Sequence, residues 1–211
     1  DERWTSRLDF DWRLTEFDAV VSERIQPFKQ PVRDLLIDLY CPKQLRDLVR
    51  QNPLNENCLI RPYLGRRKNQ TGPPSQFPEI ELCDFPLHVD QMEHLGLHTH
   101  EYARIMADTL AYLHWELGVD ASGLEFVLAP GRPQEEDNII SSDSLGEHAV
   151  WILDFDAFNG FRRLDNKAVP LAVAAFLSNE RYFPRPGPDP KDEALWNTFK
   201  QRYLETSDYI I

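Results

Sequence analysis

A chain of 211 residues can bury one core or two small lobes, and its 42% hydrophobic and 11% aromatic content, with five Trp and twelve Phe, excludes a disordered polymer. The formal charge of −12, from 35 acidic against 23 basic residues, repels phosphate backbones and anionic lipid heads, so neither nucleic acid nor a membrane surface is an expected partner. Cys41, Cys58 and Cys83 contain no CxxC pair and read as buried thiols, not as a zinc cluster or a disulfide framework. No apolar run of about 18 residues and no basic-then-apolar leader occurs, which predicts a cytoplasmic or nuclear protein.

In chain order, Leu8, Phe10, Trp12 and Leu14 alternate with polar residues and predict a strand. Pro31 then stands where a helix tolerates it, and Val32, Leu35, Leu36, Leu39 and Tyr40 follow at helical spacing. A second helical piece is expected over 43–50, and the run CLIRPYL at 58–64 reads as a buried strand. Residues 65–78, rich in Gly, Pro, Ser and Asn, read as a surface loop. The four cations within 61–68 form a basic patch whose simplest reading is a solvated rim, with phosphate binding as the minor one.

A strand is expected at 81–85, a short helix at 88–95, and then the clearest helix of the chain. Thr99 is its expected N-cap, Tyr102, Ile105, Met106, Thr109, Leu110, Leu113 and Leu117 its apolar stripe, and Gly118 its stop. Strands are predicted at 125–129 and 149–155, joined by a polar excursion over 130–146, and helices at 168–180 and 191–206, separated by a proline-rich turn. His88, His94, His98 and His100 cluster in sequence, but Gly96 argues against a rigid metal site, and Trp115, Trp151 and Trp196 read as core or interface aromatics.

The order helix, turn with Asp120, strand from Glu125, loop, and strand ending in Asp154-Phe155-Asp156 resembles the kinase catalytic core. The resemblance puts Asp120 at the catalytic base position, and Glu125, Asp154 and Asp156 around Mg²⁺. Asp156 in place of Gly is closer to the ending of aminoglycoside and choline phosphotransferases. Gly118-Val119 replaces the His-Arg pair before the catalytic Asp, and Ser122 replaces the loop cation. The first 90 residues hold only Gly65 and Gly72, so the glycine-rich loop that cradles ATP is missing or lies upstream.

A closer resemblance spans nearly the whole chain: LIDLYCP at 36–42, FPLHVDQMEHL at 85–95, LHWELGVDASGLEFVL at 113–128, WILDFD at 151–156 and NERYFPRP at 179–186 are similar to a fungal family of unknown function, often labelled zinc-finger protein. That family implies no activity. Together the resemblances imply an α+β, mainly helical fold, a single kinase-like domain over 1–211 with an N-terminal subregion at 1–78 and a C-lobe-like subregion at 79–211. Two functions follow. One is a degenerate kinase-like module that holds a protein or small-molecule ligand without turnover. The alternative is a divergent phosphotransferase that uses Mg and ATP on a small molecule or protein, and it predicts metal-dependent nucleotide binding.

Overall fold

The computed structural model describes residues 23–68, 81–132, 138–161 and 168–211; the strand expected around Leu8 to Leu14 and most of the loop at 65–78 lie outside them. Helix α1 (Gln30–Tyr40) opens with Pro31 in its first turn, where the missing N–H would have no helical partner anyway. It buries Leu36 and Ile37, while Leu39 is 43% exposed. At about 100° per residue, a face centred between Leu36 and Ile37 leaves Leu39 pointing sideways, so the expected stripe is displaced by one position. The piece expected at 43–50 divides into a 3₁₀ turn (Lys43–Leu45) and α2 (Arg46–Gln51).

Among the described residues five strands follow: β1 (Ile60–Tyr63), β2 (Phe85–His88), β3 (Glu125–Ala129), β4 (Ile140–Ser142) and β5 (Gly146–Leu153). They form one sheet in the order β2-β1-β3-β5-β4, which draws on both sides of position 78. β1 and β2 are parallel, with Ile60 opposite Phe85, and the other pairs are antiparallel. Proline is tolerated for a local reason at each place. Pro86 lies on the edge strand, and β1 touches β3 only at Ile60↔Leu128, so Pro62 owes that side no hydrogen bond. Central β3 reads as an unbroken apolar run because both its faces are covered: Phe126, Val127, Leu128 and Ala129 are fully buried.

The strand expected at 81–85 begins only at Phe85. The apolar signal there came from Leu82, which is buried in a turn and donates its amide to Asn55 Oδ1 at 2.8 Å. β4 was hidden in the polar excursion because an edge strand of this length needs a single inward residue, Ile140.

His88 and Gln91 cap each other reciprocally at the start of α3 (Val89–His94). Helix α4 (Thr99–Ala111) begins with His98, not Thr99, as N-cap: the amides of Glu101 and Tyr102 already bond the His98 carbonyl. Tyr102, Met106, Leu110 and Leu113 are buried as the stripe requires. Beyond Ala111 the helix widens into a π turn (Tyr112–Leu117), closed by Gly118 at φ 67°. The wider turn rotates the side chains out of α phase, which exposes Leu117 (56%) and buries His114 (2%).

Helix α5 (Ala168–Ser178) carries no charge, and Val169, Val173 and Leu177 are exposed on it. Helix α6 (Pro190–Ile210) is capped by Asp189, whose carboxylate accepts from the Lys191 amide, and lies along α4, where Arg202 grips Asp108 through two bonds of 2.7 and 2.9 Å. Phe176, Phe183, Trp196 and Phe199 stack between α5 and α6. The architecture is therefore α+β, and no helix among the described residues is long and apolar enough to cross a membrane.

Candidate functional site

The chain leaves the π turn through left-handed Gly118, bridges Val119 to Gly160, and brings Asp120 into a buried position, 3% exposed. Oδ1 of Asp120 accepts from the amides of Ser122 (3.0 Å) and Asn159 (2.9 Å). Oδ2 accepts from Ser122 Oγ (3.0 Å) and Asn159 Nδ2 (2.9 Å). Burial pushes this carboxyl up, but the four donors outweigh it and hold the pKa below the usual carboxylate value. A carboxylate has about four lone-pair sites, and all are used here. Asp120 is thus an ionised strut that pins the loop after α4 to the loop after β5.

Glu125 and Asp154 do come together, because β3 pairs with β5 in the register Glu125↔Leu153. Burial raises the Glu125 pKa, the Arg61 guanidinium pulls it back, and the neighbouring Asp154 carboxyl adds to the rise. Asp154 has φ 59°, a left-handed conformation that Asp adopts more readily than most residues, and is exposed. Asp156 lies exposed in the next turn. Among the described residues no group of three or more His, Cys, Asp or Glu is arranged to hold a metal ion.

Arg61 is the residue that sequence reasoning missed. It bonds Glu125, Asp84 (2.9 Å) and the Tyr182 hydroxyl (2.8 Å) at once. A lone cation inside an apolar strand was the available signal, since such a group enters a sheet only with a partner. Arg66 and Arg67 of the same basic stretch are matched likewise: Arg66 pairs with Glu180, and Arg67 with Glu93 (3.1 Å) and Asp192 (2.6 Å). His98 and His100 are engaged too. His98 Nε2 meets the Ser141 carbonyl at 3.1 Å and His100 Nδ1 the Thr198 hydroxyl at 2.8 Å. Burial pushes His114 down to about 4, against the raising effect of the Asp120 carbonyl, so it is neutral at physiological pH. Its Nδ1 meets the Tyr203 hydroxyl at 2.8 Å.

What the Asp154-Phe155-Asp156 turn does present is its aromatic ring. Phe155 is 56% exposed and packs edge-on against Phe158 at 5.6 Å. It borders a groove of about 850 Å³ with Tyr112, Leu117 and Tyr209, which are 51%, 56% and 92% exposed. Asp108, already held by Arg202, and Glu116 also line this groove, and no cation lines it among the described residues. An apolar ring flanked by two carboxylates in a turn was the sequence signal for it.

Residues 150–211, under a third of the chain, match the model of a domain-of-unknown-function family described as zinc finger protein. No curated protein and no solved structure matches the chain. Among the described residues no cluster of zinc ligands accompanies that description: Cys41, Cys58 and Cys83 are free thiols, Cys41 and Cys58 buried. The end of β5, the Asp154-Phe155-Asp156 turn, α5 and α6 are therefore the part of this chain that is similar to a family of unknown function.

Proposed function

We propose that the chain is a kinase-like binding module that works without turnover and holds a cationic, amphipathic protein segment in the groove beside Phe155. The carrying observation is how the acidic groups are spent. Asp120 gives every acceptor site to Ser122 and Asn159, Glu125 is engaged by Arg61, and exposed Asp154 and Asp156 flank an exposed aromatic ring. The kinase-like order of elements around Asp120 supports the fold half of this reading; the apolar groove with its acidic rim supports the binding half. Burying the remaining apolar surface of Phe155 and Tyr209 supplies the affinity, and the exposed carboxylates choose the sign of the partner's charge.

The test is fluorescence anisotropy with two labelled amphipathic helical peptides, one of Leu and Lys and one of Leu and Glu. The Lys peptide is expected to bind, the Glu peptide not, and Phe155→Ser to weaken binding by about tenfold or more, the equivalent of about 1.4 kcal/mol. Equal binding of both peptides, or indifference to Phe155→Ser, overturns the reading. Thermal unfolding separates it from the phosphotransferase alternative. A binding module shows no rise in Tm with Mg²⁺ and ATP together, whereas a rise that needs both and disappears in Asp154→Ala assigns a working nucleotide site instead.

A further inference from the structure

A separate cavity of about 260 Å³ opens between the C-terminal end of α4, α5 and α6, with Leu110, Ala172, Phe176, Trp196, Tyr203 and Leu204 among its walls. Its size lies between the roughly 150 Å³ that encloses a benzene ring and the roughly 300 Å³ where drug-sized pockets begin. The walls are apolar, and among the described residues that line it Lys200 is the only charged one, His114 being neutral. Lys200 is exposed at the rim and has no carboxylate partner among the described residues. The positions one helical turn away from it are Trp196, Asn197, Tyr203 and Leu204, none of them acidic. Lys200 is thus a cation at the mouth of an apolar hole, in a chain of net charge −12.

We infer that this cavity binds a small amphipathic carboxylate, its hydrocarbon part inside and its carboxylate at Lys200. One point charge suits a monoanion; no second cation or fork of donors is present among the lining residues to match a phosphate dianion. Burial of the hydrocarbon carries the affinity, at about 0.8 kcal/mol per CH₂, while an exposed ion pair adds at most about a fivefold preference. The site is independent of the Phe155 groove, so either can fail alone.

Isothermal titration calorimetry with decanoate, decanol and decyltrimethylammonium tests the inference. Decanoate is expected to bind saturably at one site, decanol up to about fivefold more weakly, and the cation most weakly. Ala172→Phe, which fills the cavity from its wall, should abolish binding, and Leu204→Trp, at the exposed mouth where little packing is lost, should weaken it even if the first variant folds poorly. Lys200→Glu should reverse the order of the two charged probes. Absence of saturable binding, insensitivity to Leu204→Trp, or an unchanged order in Lys200→Glu overturns the inference.

Discussion

Replacing Asp120 with Ala is expected to lower the unfolding free energy by about 3 kcal/mol, because four donors, two of them backbone amides, lose their acceptor inside the protein. Hydrogen bonds to a charged group contribute about 1.5 to 3 kcal/mol each in isolation, but Ser122 Oγ and Asn159 Nδ2 can turn to water, so the sum is not additive. Asp120→Asn should cost less, about 2 kcal/mol, since one oxygen remains while its NH₂ opposes the Asn159 amide group. Urea unfolding measures both, with the slope expected to stay constant. The sign of the pH dependence follows from the depressed pKa. The carboxylate's contribution is complete above the unfolded value of about 3.9 and is lost as pH falls through the lower folded value. The stability curves of the native chain and Asp120→Asn should therefore converge in acid. A loss under 0.5 kcal/mol at neutral pH would remove the strut role and return Asp120 to the pool of catalytic candidates.

Arg61→Ala is expected to be at least as damaging, by about 3 to 5 kcal/mol. The side chain is 15% exposed and joins β1 to Asp84, to Glu125 on β3 and to Tyr182 beyond α5. Its removal takes away the guanidinium bonded to the Glu125 carboxylate beside Asp154 and leaves only the weaker field of Arg181, in a position where burial already disfavours ionisation. Glu125 then titrates well above its unfolded value, so the variant's deficit should shrink as pH falls and Glu125 takes up a proton. The double variant Arg61→Met with Glu125→Gln should recover a large share of the loss, because the stranded charge is gone. Arg61→Lys should not, since a single ammonium cannot reach three partners in the plane of a guanidinium. If the double variant is no more stable than Arg61→Ala, packing of the arginine stem, not charge pairing, is what β1 depends on.

These two residues also mark how far the sequence could be read. Where an apolar run or a helical period is well bounded, composition located the element: β3 falls on 125–129 as expected, and the described part of α5, Ala168–Ser178, lies within the expected 168–180. Periodicity failed where the backbone changes pitch, at the π turn that hides His114 and exposes Leu117, because the template assumes one rotation per residue throughout. It failed again at Leu82, since a buried turn and a strand leave the same apolar trace. The acidic positions were found, but their partners were not. Ser122 and Asn159 are separated in the chain by the whole β3-β4-β5 unit, and Arg61 lies 64 residues from Glu125. Spacing alone distinguishes a carboxylate that waits for a ligand from one already saturated only when its donors are close in sequence. The Phe155 groove was legible as chemistry but not as a place, because Tyr209 reaches it only through the packing of α6 on α4.

The reach of the arginines has a consequence for how the chain must be made. Arg61 waits for Tyr182, 121 residues later, and Arg67 for Asp192, 125 residues later. At a synthesis rate of about 5 to 20 residues per second, roughly 6 to 24 s separate the appearance of the cation from that of its last partner. Through that interval β1 lacks first β3 and then the segment that locks it, leaving an unpaired strand edge with apolar neighbours. A nascent chain arrested before Tyr182 should thus bind chaperones, whereas one that already carries α6 should close cooperatively, with β1 held through Tyr182 and the turn after it through Asp192.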